Sequence, residues 1–246
     1  MPRLIMLAFI LLTTGSAIAA ETTQTVLITG ANRGIGLEMV RQFAAKGYTV
    51  IGTARKPAEA SALKALDVRV EQLDVTDSAS VVALAEAVEG VAIDILVNNA
   101  GVGGQGANKL ETIDFDQMAW TFDVNAFGPL RVTQALRPNL DAGKGKTVVQ
   151  ISSVMGSIEK NRGGAYDYRA SKAAHNQLNK SLSGELGRQG FTCVVLHPGW
   201  VKTRMGGQGA PVTVEDSVTG LIAVIEGLEA GDNGRFLDFQ GTEIPW

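Results

Sequence analysis

The sequence predicts an α/β fold in which one seven-stranded parallel sheet is doubly wound, with helices on both faces. Seven short β-branched runs alternate with longer helical stretches, the runs are apolar almost throughout, and a glycine-rich turn directly follows the first of them. Alternating strands and helices imply crossover connections, and crossovers imply parallel strands. Unbroken apolarity, as in Val26-Leu27-Ile28 and Ile95-Leu96-Val97, is what strands covered on both faces require.

The first strand is expected over Thr25–Thr29, and the turn Gly30-Ala31-Asn32-Arg33-Gly34-Ile35-Gly36 leads into a helix over Ile35–Lys46, capped by Gly47. Strands over Thr49–Thr53 and Val68–Leu73 precede a helix over Ser78–Val88. A strand over Ile93–Val97 is followed by one long helix, Phe115–Leu140. Thr147–Ser152 then reads as strand, Tyr166–Gln189 as helix with Gly190 as its cap, and Thr192–Leu196 as strand. Thr213–Ala230 closes the helical set, and Arg235–Phe239 supplies the last strand.

Where a strand turns through glycines into a helix, backbone N–H groups and the helix dipole converge on an anion, the arrangement that holds a dinucleotide pyrophosphate in Rossmann folds. Gly30, Gly34 and Gly36 suit that turn because a Cβ blocks positive φ or the close approach of the ligand. At the end of the second strand, where an acid would hold the 2'-hydroxyl of NAD, the chain reads Thr53-Ala54-Arg55-Lys56. Arg55, with Arg33 in the turn, suits a 2'-phosphate, so NADP(H) is expected over NAD(H). Tyr168 and Lys172 lie one helical turn apart on a shared face. A cation there is expected to lower the phenol's pKa and fit it for proton exchange near neutral pH.

Composition narrows the partners. The 246 residues carry a net charge of −3 with scattered Lys and Arg, which leaves no basic field for nucleic acid. Cys193, the one cysteine, sits in an apolar run and reads as a small buried hydrophobe. His175 and His197 are read as structural, and no cluster has metal-ligand spacing, so no metal is expected. At the N-terminus Arg3 precedes the apolar run Leu4–Leu12, and Ala17-Ile18-Ala19-Ala20 offers small residues for cleavage. Residues 1–20 therefore read as a secretory signal peptide too short for a membrane span, and residues 21–246 as one domain; export is expected, with a signal anchor or a cytoplasmic protein as the alternatives.

Taken together, Thr29-Gly-x-x-x-Gly-x-Gly36, Asp74-Val75-Thr-Asp77, Asn98-Asn-Ala-Gly101, Asn125, Ile151-Ser-Ser153, Tyr168-x-x-x-Lys172 and Pro198-Gly199 followed by Thr203 resemble a classical short-chain dehydrogenase/reductase. The segments Tyr168–Lys172 and His197–Thr203 and the closing Gly241–Trp246 are similar to its carbonyl-reductase-like branch, which includes sniffer-type and C-factor-like proteins. The resemblance implies reduction of a ketone, quinone or dicarbonyl to an alcohol. Tyr168 would be the proton donor, Lys172 would hold the nicotinamide ribose, Ser153 would orient the carbonyl oxygen, with Ser152 as its competitor, and Asn125 would kink the long helix.

For the cofactor, the resemblance implies contacts from Gly30, Asn32, Arg33, Gly34, Ile35 and Gly36, from Arg55, and from Asp74 and Val75 at the adenine. Asn98, Ala100 and Gly101 would lie along the adenosine ribose, and Pro198, Gly199, Val201 and Thr203 would face the nicotinamide. Asp74 also reads as a helix N-cap. The substrate pocket is expected between Val102–Ala107, Met155–Arg162 and Trp200–Val212, with a flap at Gly206–Gly209. Pairing through the two long helices into a homodimer or tetramer is implied. A rival reading keeps the same fold for nucleotide binding or signalling with little turnover.

Overall fold

The computed structural model describes residues 23–103 and 109–246. Its strands are β1 (Thr25–Ile28), β2 (Thr49–Ala54), β3 (Arg69–Gln72), β4 (Ile95–Asn98), β5 (Thr147–Ile151), β6 (Thr192–His197) and β7 (Phe236–Asp238). They form one sheet in the order β3-β2-β1-β4-β5-β6-β7, every pair parallel. The order reverses between β1 and β4, which opens a crevice beyond the carboxyl ends of these two strands.

Successive side chains of a strand point to opposite faces, and here both faces are apolar. Val26, Ile28, Ile95, Val97, Val149, Ile151, Val194 and Leu196 pack on one side under α1 (Gly34–Ala45) and, much later in the chain, α8 (Val214–Glu226). Leu27, Leu96, Val148 and Cys193 face the other way, against residues of α3 (Ser78–Ala87), α5 (Gly128–Ala135), α6 (Arg137–Ala142) and α7 (Tyr166–Leu186). Burial pushes the Cys193 thiol up to about 12, consistent with a small hydrophobe. A single-turn α2 (Ser61–Lys64), not anticipated from the sequence, joins β2 to β3.

The expected long helix over Phe115–Leu140, for which the resemblance implied a kink at Asn125, is three segments. α4 (Phe115–Phe122) runs into a π-turn over Asp123–Phe127, then α5 and α6 follow. Pro129 has no N–H to give the carbonyl four residues back, and its ring crowds that carbonyl. The wider turn accommodates this: Gly128 N–H donates to Asp123 O, five residues earlier. Pro138 acts in the same way at the break after Ala135. Elsewhere the differences lie at the ends. α7 stops at Leu186, a 3₁₀ turn carries the chain to Gln189, and Gly190 closes it at φ +85°. Among the described residues no helix is long and apolar enough to cross a membrane; the signal-like residues 1–20 lie outside them.

Candidate active site

The glycine turn is built against the end of β4. Gly30 and Gly34 have φ of +66° and +56°, in the left-handed region that favours glycine. A Cβ on Gly30 would lie 2.9 Å from Ala100 Cα; one on Gly36 would lie 2.5 Å from both Gly30 O and Asn99 Nδ2. Thr29 Oγ1 accepts hydrogen bonds from the N–H groups of Asn99 (3.0 Å) and Ala100 (2.9 Å), and Asn99 Nδ2 donates to Thr29 O and Gly30 O. The turn is thereby held as a concave cradle at the N-terminus of α1, whose first N–H groups suit a phosphate. Gly36→Ala is expected to cost about 1–3 kcal/mol through this overlap, and a thermal melt reads it as a drop of several degrees.

Around the cradle, Asn32 is half-buried, Ile35 in the first turn of α1 packs partly into the core, and Arg33 and Arg55 are exposed. Asp74 Oδ1 accepts from Thr76 N (3.0 Å) and Thr76 Oγ1 (2.7 Å), while the N-cap of α3 is Asp77, not Asp74. Buried Val75 packs at Gly128, where a Cβ would come within 2.8 Å of it. Asn98 turns its amide to Thr133 on α5 (3.0 Å), so whatever it brings to the cofactor face comes from the strand end. On the far side, Pro198 O accepts from Ser217, Gly199 has φ +86°, Val201 bridges Val212, and Thr203 lies against the turn, 3.5 Å from where a Gly34 Cβ would stand.

Proton-handling groups gather at the carboxyl end of β5. Ser153 lies close enough to Tyr168 to act on its phenol, and Ser153 Oγ accepts from Met155 N at 3.1 Å. Ser152 donates instead to Asn176 Oδ1 (2.7 Å) within the core, so the serine facing Tyr168 is Ser153. Lys172 is buried on α7, and its Nζ donates to Ile151 O at 2.9 Å. Gly156 lets the loop after Ser153 lie on the helix, since a Cβ there would come within 2.8 Å of the Lys172 backbone. Gly163, Gly164 and Ala165 then enter α7 with three consecutive positive φ values.

The expected depression of the phenol's pKa by Lys172 is not what the site shows. Burial raises Tyr168, with the nearby Ser153 hydroxyl opposing, and burial lowers Lys172 to about 8. Desolvation of each charged form outweighs any attraction between them. His175 stays neutral: burial and the Lys172 charge drive it well below its usual range, and its Nε2 pairs with Gln150 Oε1 at 2.8 Å. His197, held at about 4 by burial, is neutral too.

Asn125 sits in the π-turn and clamps the strand beyond β4. Its Oδ1 accepts from Val102 N (2.8 Å), and its Nδ2 donates to Val102 O (3.0 Å) and Ser171 Oγ (3.1 Å). Gly101 passes between Asn125 and Lys172, a Cβ there lying 3.3 Å from Oδ1 and 3.7 Å from Nζ. Asn125→Ala strips both partners from Val102, so we expect it to lower unfolding free energy by about 1–3 kcal/mol in a urea titration.

Residues 24–211 match the short chain dehydrogenase family model. The chain belongs to the short-chain dehydrogenases. Among this dehydrogenase's relatives, the C-signal of Myxococcus xanthus is 50% identical over 63% of this chain and 93% of its own. The 1-hydroxy-2-glutathionyl-2-methyl-3-butene dehydrogenase of Rhodococcus sp. (strain AD45) is 34% identical over 90% and 99%. Among solved structures, the NADPH-bound carbonyl reductase from chicken fatty liver superposes with a TM-score of 0.85 at 36% identity, covering 91% of this chain and 99% of that one. The carbonyl reductase Sniffer of D. melanogaster superposes at 0.86 and 32%, covering 92% and 100%. This short-chain dehydrogenase is thus a carbonyl-reductase-like member of an oxidoreductase family.

Two of its site features escaped the sequence reading. Asn99, not Asn98, ties β4 to the glycine turn, and Thr29 anchors both; the adjacent asparagines alone do not say which one faces the turn. Trp200 and Met205, in the expected pocket segment Trp200–Val212, are exposed, with Met205 reaching across to Gly103. Of the expected pocket loop Val102–Ala107, positions 104–107 lie outside the described residues.

Proposed function

We propose that this dehydrogenase reduces the carbonyl of a ketone, quinone or dicarbonyl to an alcohol with NADPH, Tyr168 giving the proton. The observation that carries this reading is the closeness of Tyr168 to Ser153 beside buried Lys172, at the sheet end where such folds bind ligands. When bound, NADPH supplies the hydride to the carbonyl carbon. The raised phenol holds its proton through neutral pH, ready for the carbonyl oxygen as negative charge grows there. Ser153 orients that oxygen. Lys172, one turn along α7, offsets the charge left on the phenol as its proton departs.

NADPH over NADH rests on Arg33 and Arg55, on the lack of an acid after β2, and on neighbours solved with NADPH or NADP. The experiment follows NADPH or NADH consumption by the full chain across quinones, aromatic ketones and dicarbonyls. Turnover of at least one class, with higher kcat/KM for NADPH, is expected. Tight NADPH binding with no turnover across the panel would sink the reductase in favour of a binding or signalling role, a second reading supported by the 50% identity to C-signal.

Exposed Phe115, Trp120, Phe127 and Leu130 along α4, the π-turn and α5 support pairing of copies through that side. Export rests on the pattern of residues 1–20 alone: a mature protein starting at Ala20 or Glu21 supports it, and an intact Met1 overturns it.

A further inference from the structure

Three guanidinium groups meet at the N-terminal end of α1. Arg33 belongs to the glycine turn, Arg55 follows β2, and Arg204 follows Thr203, whose methyl lies against Gly34. All three are exposed, and among the described residues none has a carboxylate within ion-pair distance. By contrast Lys56, next to Arg55, is paired with Glu59 at 2.9 Å. The groups feel one another: Arg33 is held below its ordinary value first by desolvation, then by the charges of Arg204 and Arg55. Three unneutralised cations crowded at a helix N-terminus repel one another and the helix dipole, and a phosphate dianion relieves both.

Arg204 stands on a braced segment. Trp200 Nε1 donates to Gly206 O (2.8 Å), Thr203 Oγ1 accepts from Gly206 N (3.0 Å), and Lys202 N donates to Val212 O (2.9 Å). The same segment touches the site on a second side, where Met205 lies against Gly103. It therefore holds Arg204 beside the glycine turn, where its charge and that of Arg55 both act on Arg33.

We propose that Arg204 is a phosphate-binding residue of the dinucleotide site and completes, with Arg33 and Arg55, a three-arginine clamp on the 2'-phosphate of NADP(H). The clamp rests on the NADPH reading above and deepens it. Arg33 comes from the cradle, Arg55 from the end of β2, and Arg204 supplies the third guanidinium from the segment after β6.

The test is calorimetric titration of the full chain, Arg204→Gln and Arg204→Lys with NADPH, NADH and adenosine 2',5'-bisphosphate at low and moderate salt. Arg204→Gln is expected to weaken NADPH and the bisphosphate roughly tenfold, flatten their salt dependence and leave NADH within about twofold, with Arg204→Lys intermediate. An equal loss for NADPH and NADH overturns the clamp, because Arg204 then acts on a group that both dinucleotides share. Unchanged or tighter NADPH binding in Arg204→Gln, beside a wild type that binds NADPH, overturns the clamp alone. A wild type that binds neither dinucleotide overturns the underlying cofactor reading and the clamp with it. Arg204 is exposed, so coincident melting curves are expected to show that the variants keep the fold.

Discussion

Tyr168→Phe is expected to lower carbonyl reduction about a thousandfold while leaving NADPH affinity within about twofold. The ring is kept and one oxygen is lost, so the α7 backbone and the glycine cradle have no reason to move. What disappears is the proton donor and the partner of Ser153. Ser153 cannot replace it, because an unperturbed hydroxyl gives up a proton far less readily than a phenol. Turnover and a calorimetric titration on the same sample check this: a parallel loss of binding and rate would point to a positioning role for Tyr168 instead.

Lys172→Met is expected to do two opposite things, lowering turnover by about a hundredfold or more and stabilising the fold at neutral pH. The ammonium is buried, and its pKa falls from 10.5 to about 8, a shift that corresponds to about 3 kcal/mol of destabilisation of the charged form. Removing the hydrogen bond to Ile151 O returns about 1 kcal/mol of that, leaving a net gain of about 2 kcal/mol. The pH dependence fixes the sign. Between about pH 8 and 10.5 the unfolded chain binds this proton and the folded one does not, so this group's contribution makes wild-type stability rise with pH across that window. The advantage of Lys172→Met is therefore full below pH 8 and fades toward pH 10.5. Urea titrations at pH 7 and pH 10 measure it, and a variant less stable than wild type at pH 7 would contradict it. A residue that costs stability where it stands fits a role in turnover better than one in folding.

The doubly wound sheet was legible because strand covering on both faces leaves a direct mark, apolar side chains at odd and even positions alike. The glycine turn was legible for a similar reason, since positive φ and near contact with Ala100 exclude most other residues. The π-turn at Asp123–Phe127 was legible only as the kink the resemblance implied at Asn125: helical periodicity runs through it, and Pro129 is the one local mark of its form. Spacing put Tyr168 and Lys172 on one face, yet spacing carries no information about burial, and burial is what raises one and lowers the other. Arg204 passed unnoticed because it joins Arg33 and Arg55 only once the segment after β6 folds back over the turn.

The most direct test is to reduce an accepted ketone or dicarbonyl with NADPH deuterated at the transferable position and to read the product alcohol by NMR. Deuterium on the carbinol carbon from the wild-type chain, with no labelled alcohol above background from Tyr168→Phe, is the predicted result. Unlabelled alcohol, or labelled alcohol formed equally by the phenylalanine variant, would contradict hydride transfer paired with a proton from Tyr168.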